Sequence, residues 1–214
     1  MRAPERSPER DAAIEAMLPH VPYDGWTLRA LRRGLEAAGG AVLDAELLFP
    51  GGTDDMIATF TDWADRRMET GAAALDMAEL RAPARVRTVI ALRLQQNRPY
   101  KEAIRRALGR LSLPGHARVA TATMARTVDA IWHAAGDRSA DFAWYTKRFS
   151  LAPIYGATLL VWLRDTSEDD ATTLAFLDRR LAGMGRLFRL RRRIEERAEG
   201  RACRLNFPRF RRAA

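Results

Sequence analysis

The sequence contains one cysteine, Cys203, among 214 residues. A disulfide framework needs pairs and a thiolate zinc site needs several, so both are excluded. The three histidines, His20, His116 and His133, stand far apart, and none has a glutamate three positions before it. That removes the Glu-x-x-His signature of di-iron helices, and no His-Glu-x-x-His zinc helix is present. Lysine is nearly missing: of 36 basic residues only Lys101 and Lys147 are lysine, and neither follows a glycine, so there is no phosphate-cradling loop. No Gly-x-Ser-x-Gly elbow and no Gly-x-Gly-x-x-Gly turn occurs. Cys203 lies in an arginine-rich tail with no base near it in sequence to make it a nucleophile. The reading is a protein that is not an enzyme and takes no cofactor and no metal. No apolar run approaches the roughly 20 residues needed to span a bilayer. Residues 1–11 are charged and lack the apolar centre of a secretory signal, which predicts a reducing, bacterial-type cytoplasm.

What the chain does have is apolar mass and patchy charge. Hydrophobic residues make up 47% and charged residues 29%, enough for a buried core without staples. The net charge of +9 is unevenly spread. Residues 1–40 are neutral, 41–80 carry −7, 81–150 carry +10, 151–185 carry −2 and 186–214 carry +8. Alternating β-branched stretches bounded by turns are absent, so the periodicity predicts helices throughout. Ser7-Pro8 caps a helix that stops near Leu18, before Pro19 and Pro22. Thr27 caps a second, with Leu28, Leu31 and Leu35 inside and Arg29, Arg32 and Arg33 outside, ended by Gly39-Gly40. A short apolar helix over 42–48 precedes Phe49-Pro50-Gly51-Gly52, and Thr53 is expected to cap the next helix, to about Thr70. Helices then follow over 83–96, 99–111, 114–135 and 141–164. The last of these carries two apolar stripes and a Pro153 that should kink it. Ser167-Glu168-Asp169-Asp170 opens a final helix with Leu174, Leu177, Leu181, Met184, Leu187 and Ile194 on one face.

The first quarter, helix, helix, Gly-Gly turn, short helix and Phe-Pro, is similar to the helix-turn-helix module of TetR regulators. A DNA reader presents basic and polar side chains on its short helix. This one presents Asp44 and Glu46, which phosphates would repel. Around residues 129–148, Trp132, Trp144 and Tyr145 flank a helix stop at Gly136-Asp137. That composition fits either a packed corner or a protein-binding patch of aromatics and arginine.

The strings Leu18-Pro-His-Val-Pro-Tyr-Asp-Gly-Trp-Thr27, Leu48-Phe49-Pro50, Trp132-His-Ala-Ala-Gly136-Asp137, Trp144-Tyr-Thr-Lys-Arg148, Leu163-Arg-Asp-Thr-Ser167 and Phe176-Leu-Asp-Arg-Arg180 resemble the ubiquinone-biosynthesis accessory family of Coq-nine type. The resemblance implies an all-α, TetR-regulator-like helical bundle that forms a homodimer, binds an isoprenoid or quinone lipid and has no nucleic acid partner. It divides the chain into a helix-turn-helix-like module over 1–75, a lipid-binding domain over 76–200 and a basic tail over 201–214. It also implies presentation of prenylated intermediates to demethoxyubiquinone hydroxylase, a di-iron enzyme of Coq-seven type. The partner patch would include Ile131, Trp144, Tyr145 and Arg148. Candidate lipid-cavity residues on the helical block are Leu92, Phe142, Phe149, Leu159, Leu160, Trp162, Leu163 and Phe176, each with ordinary core packing as its other reading. Arg191, Arg192, Arg193, Leu205, Phe207 and Phe210 suit an anionic membrane surface, with peripheral contact at the inner membrane face, although a solvated tail or a nucleic-acid contact fits them too. The rival is a TetR-type, ligand-responsive DNA-binding regulator.

Overall fold

Small hydroxyl side chains set where the first helices begin. The structure, a computed structural model, describes residues 3–40, 42–137 and 142–184. Helix α1 (Pro8–Met17) starts where Ser7, in extended backbone, accepts the amide of Arg10 at 3.2 Å, with Pro8 in the first turn. One turn, α2 (Val21–Asp24), leads to Gly25, and Thr27 then caps α3 (Leu28–Ala37) by accepting the Ala30 amide at 3.3 Å. A 3₁₀ turn (Val42–Asp44) runs into α4 (Ala45–Leu48), and α5 (Gly52–Ala73) follows. The expected Thr53 cap is not what forms. Gly52 adopts a left-handed φ of +61°, the chain turns one residue earlier, and the Thr53 hydroxyl donates to the Trp26 carbonyl at 2.8 Å.

The larger part is built from α6 (Ala82–Gln96), α7 (Lys101–Leu111), α8 (Ala117–Ala134) and α9 (Phe142–Trp162), with a last helix, α10, over 171–184. The described residues contain no strand. The helical assignment of α9 continues through Pro153. Its stripe of Leu151, Tyr155, Thr158 and Trp162 is buried, but Tyr145 and Phe149 on the other stripe are exposed. The Asp165 carboxylate holds the corner before α10. It accepts the amides of Ser167 (2.9 Å) and Thr173 (2.7 Å) and both their hydroxyls. Burial alone would raise its pKa, but these hydrogen bonds hold the carboxyl well below its usual range.

Helix α5 is the central member, packed on α8, α6 and α1. Its junction with α1 and α4 is a buried clasp. Arg10 donates to the Leu48 carbonyl (2.6 Å), Asp55 (2.5 Å) and the Thr59 hydroxyl (2.8 Å), and its guanidinium lies over the Phe49 ring. The Leu48-Phe49 string is therefore core: Phe49 is 1% exposed. The amino-terminal module is tied to the rest by Trp26, whose indole donates to the Ala103 carbonyl at 2.9 Å, and by His116 against Asp54 at 2.7 Å. No helix among the described residues is long and apolar enough to cross a membrane.

Helices α1 and α3 cross so closely that a Cβ at Gly34 would lie 2.6 Å from the Ala16 backbone. Gly34→Ala is expected to destabilise the protein by about 3 kcal/mol, since backbone cannot step aside. At Gly109, in α7, a Cβ would meet nothing within 4 Å, so Gly109→Ala should stabilise by about 0.5–1 kcal/mol. Urea denaturation of the two variants checks both signs.

Candidate functional site

The amphipathic helices α5 to α9 do not close completely on one another. They enclose an apolar cavity of about 370 Å³. This is at the lower end of the roughly 300–1,000 Å³ typical of small-molecule sites. Ile57 and Phe60 of α5, Leu94 of α6, Ile104 and Leu108 of α7, Met124 of α8 and Leu159 of α9 form its walls. Ser112 and Leu160, both exposed, stand at the open side, while Arg93, Asn97, Tyr155 and Trp162 line it from the buried side.

That buried side carries a polar cluster that takes one residue from each of four helices. Asp65 (α5) and Arg93 (α6) form a buried ion pair with Nη1 and Oδ1 2.6 Å apart. Thr127 (α8) donates to Asp65 at 3.0 Å, and Arg93 Nε donates to the hydroxyl of Tyr155 (α9) at 2.8 Å. Burial pushes the Asp65 carboxyl up to about 6, against the pull of Arg93 and Thr127. Burial also works against the charge on Arg93, but the Asp65 carboxylate and the Tyr155 hydroxyl together more than offset it and raise its pKa. The cluster was not anticipated: Arg93 is one of many arginines in the basic stretch 81–150, and Asn97 falls in the gap between two predicted helices.

Three of the eight expected lipid residues, Leu159, Leu160 and Trp162, line the cavity. Four do not. Leu92 packs toward Gly71 on α5, and Phe149, 86% exposed, sits two turns before the cavity on the open stripe of α9. Leu163 is buried in the general core, and Phe176 lies beneath the Arg180 guanidinium at 4.9 Å. The Phe142 side chain, like Arg191, Arg192, Arg193, Leu205, Phe207 and Phe210, falls outside what the structure describes.

The aromatic corner is both packed and exposed. Trp144 and Tyr145 meet edge to face with centroids 4.7 Å apart, and Tyr145 is 67% exposed. Arg148 stacks on Trp144 at 4.0 Å and is held by Asp129 (2.5 Å) and Asp137 (3.3 Å). Ile131 is corrected: it is fully buried, because α8 turns that face onto the core, and it offers a partner no surface.

In the amino-terminal module the outward arginines are already matched by acids. Arg29 and Arg33 pair with Asp24, and Arg32 pairs with Glu46 of α4 at 2.6 Å. A phosphate backbone would meet arginines already engaged by Asp24 and Glu46 and an exposed Leu47 on the short helix. Among the described residues no group of His, Cys, Asp and Glu is set to hold a metal ion.

The Asp65 shift has a measurable sign. A carboxyl that binds its proton more tightly in the folded chain contributes stability that is whole below its ordinary value of 3.8 and is lost as pH rises through about 6. Asp65→Asn, of like shape but unable to ionise, should flatten that slope. Urea denaturation between about pH 4 and pH 7 is the check, and an unchanged slope would assign it to another group.

Comparison with known proteins places these features. The COQ9 family model matches residues 117–187, which include α8 and α9. The chain is 35% identical over 175 residues to the rat "Ubiquinone biosynthesis protein COQ9, mitochondrial", covering 78% of this chain and 56% of that protein. It is 34% identical to the human protein of that name, covering 78% and 55%. To the Schizosaccharomyces pombe protein it is 32% identical over 169 residues, covering 78% and 66%. The chain thus spans about half the length of its mammalian relatives. These names correct the expectation of a bacterial-type cytoplasm, since the relatives are mitochondrial proteins. In fold, the chain is similar to the TetR transcriptional regulator from Nitrosomonas europaea, with a TM-score of 0.66, 24% identity and coverage of 82% of this chain and 97% of that one. An all-α, TetR-like bundle, a family model that matches residues 117–187, and relatives more than 30% identical that align over most of the chain mark it as a member of the COQ9 family.

Proposed function

We propose that the chain is a non-catalytic carrier in ubiquinone biosynthesis. It binds a prenylated quinone intermediate in the α5–α9 cavity and presents it to the demethoxyubiquinone hydroxylase, acting as a homodimer at a membrane surface. The observation that carries this reading is the apolar cavity, walled in part by the region matching COQ9. The physical need is direct. Taking a prenyl tail out of a bilayer costs about 0.8 kcal/mol per CH₂, and apolar walls return a comparable amount. Oxidation chemistry is left to the partner. Arg191, Arg192 and Arg193, with Leu205, Phe207 and Phe210 of the basic tail, would supply membrane contact at about 1 kcal/mol per basic residue near an anionic surface.

In the partner patch, Tyr145 is the exposed contact. Arg148 acts by holding Trp144 against it. The regulator reading has the fold behind it, but the paired arginines and the acidic short helix weigh against it.

Two experiments test the proposal. Organic extraction and mass spectrometry of purified protein should recover isoprenoid or quinone lipid. Gly156→Leu, which places a side chain in the cavity beside Met124, should lower that recovery about ten-fold at unchanged helicity. A bare wild-type protein, or equal recovery from the variant, refutes the cavity as the lipid site. Tyr145→Ala should weaken hydroxylase binding about ten-fold or more while stability changes by less than about 0.5 kcal/mol. Unchanged affinity in calorimetry of the folded variant removes the patch.

A further inference from the structure

The buried side of the cavity carries hydrogen-bonding atoms that the fold leaves unused. Asn97 is 5% exposed and Trp162 fully buried, both line the cavity, and neither Asn97 Oδ1 nor Trp162 Nε1 has a hydrogen-bond partner among the described residues. Such atoms cost free energy unless something serves them. By contrast the buried Trp26 indole, away from the cavity, is served by the Ala103 carbonyl. Indole N–H only donates and the amide oxygen only accepts, so a molecule serving both must offer an acceptor and a donor. Arg93 beside them is already neutralised by Asp65, so no net charge is required of the guest. The cavity volume of about 370 Å³ also suits a ring and a short length of tail rather than a long prenyl chain.

We infer that Asn97 and Trp162 form a headgroup subsite, which takes a neutral aromatic ring bearing both a hydroxyl and a carbonyl or ether oxygen, with the isoprenoid tail leaving past Ser112 and Leu160. The ring hydroxyl donates to Asn97 Oδ1, and the second oxygen accepts from Trp162 Nε1. This deepens the carrier reading and rests on it. It reverses the arrangement expected of a phospholipid guest, whose acyl chains would fill the cavity with the head outside. With the head buried, most of the tail can stay in the membrane, which removes most of the cost of extraction.

The test uses the full chain and two probes of equal size, geranyl-hydroquinone and geranyl-benzene, which differ only in the ring oxygens. The hydroquinone should bind about ten-fold or more tightly, because the oxygen-free ring leaves both atoms unserved. The Trp162 indole N–H resonance, assigned with Trp162→Phe, should move downfield with the hydroquinone alone. Asn97→Leu should erase most of the preference and raise thermal stability, the opposite of what a structural asparagine would do. Equal affinity for the two probes with a stationary indole signal overturns the subsite but leaves the cavity as an apolar lipid site. Failure of both probes to bind takes the carrier reading with it. If Asn97→Leu does not fold, the wild-type preference and the indole shift decide the matter.

Discussion

The buried pair of Asp65 and Arg93 is the constraint around which the cavity is organised. With Thr127 and Tyr155 it joins α5, α6, α8 and α9 through one side chain each. Burying two charges is expensive, and the raised Asp65 pKa reflects that cost. An all-apolar centre would be the cheaper way to hold four helices together. It would also let them slide until the space between them closed. A directional polar cross-link fixes their register, so apolar walls can face each other across a gap without collapsing.

The same economy of charge runs through the rest of the molecule. Arginines here are mostly structural. Arg10 ties three helices from inside, Arg148 props an indole, and Arg29, Arg32 and Arg33 spend their charge on neighbouring carboxylates. A fold similar to that of a TetR transcriptional regulator thus carries, at Arg29, Arg32 and Arg33, cations already engaged by Asp24 and Glu46. Fold and surface carry different information, and function follows the surface and the cavity.

Much of this was legible in the sequence, for definable reasons. Helix type and order follow from apolar spacing, and the caps at Ser7 and Thr27 form as their side chains predict. Thr53 misled because a left-handed glycine at 52 starts α5 early. The family strings at Phe49, Trp144 and Asp165 were visible as words, but their work, core, corner and helix cap, became visible only in three dimensions. The cavity was half legible. Leu159, Leu160 and Trp162 lie on the right helix and turn, whereas a cavity is defined by what facing helices fail to fill, and α7 gave no sign of its share. Arg93 and Asn97 were illegible because composition treats polar residues as exterior, and burial of a polar side chain is settled by partners far along the chain.

The indole of Trp26 carries a last implication. It reaches from the amino-terminal module to a carbonyl of α7, and its own carbonyl is held by Thr53 at the start of α5. A molecular switch that reports an occupied chamber to distant reading heads requires a compliant joint between them. Here a single residue pins the amino-terminal module to α7 and α5 at once, so that any movement of one against the others must first break its hydrogen bonds.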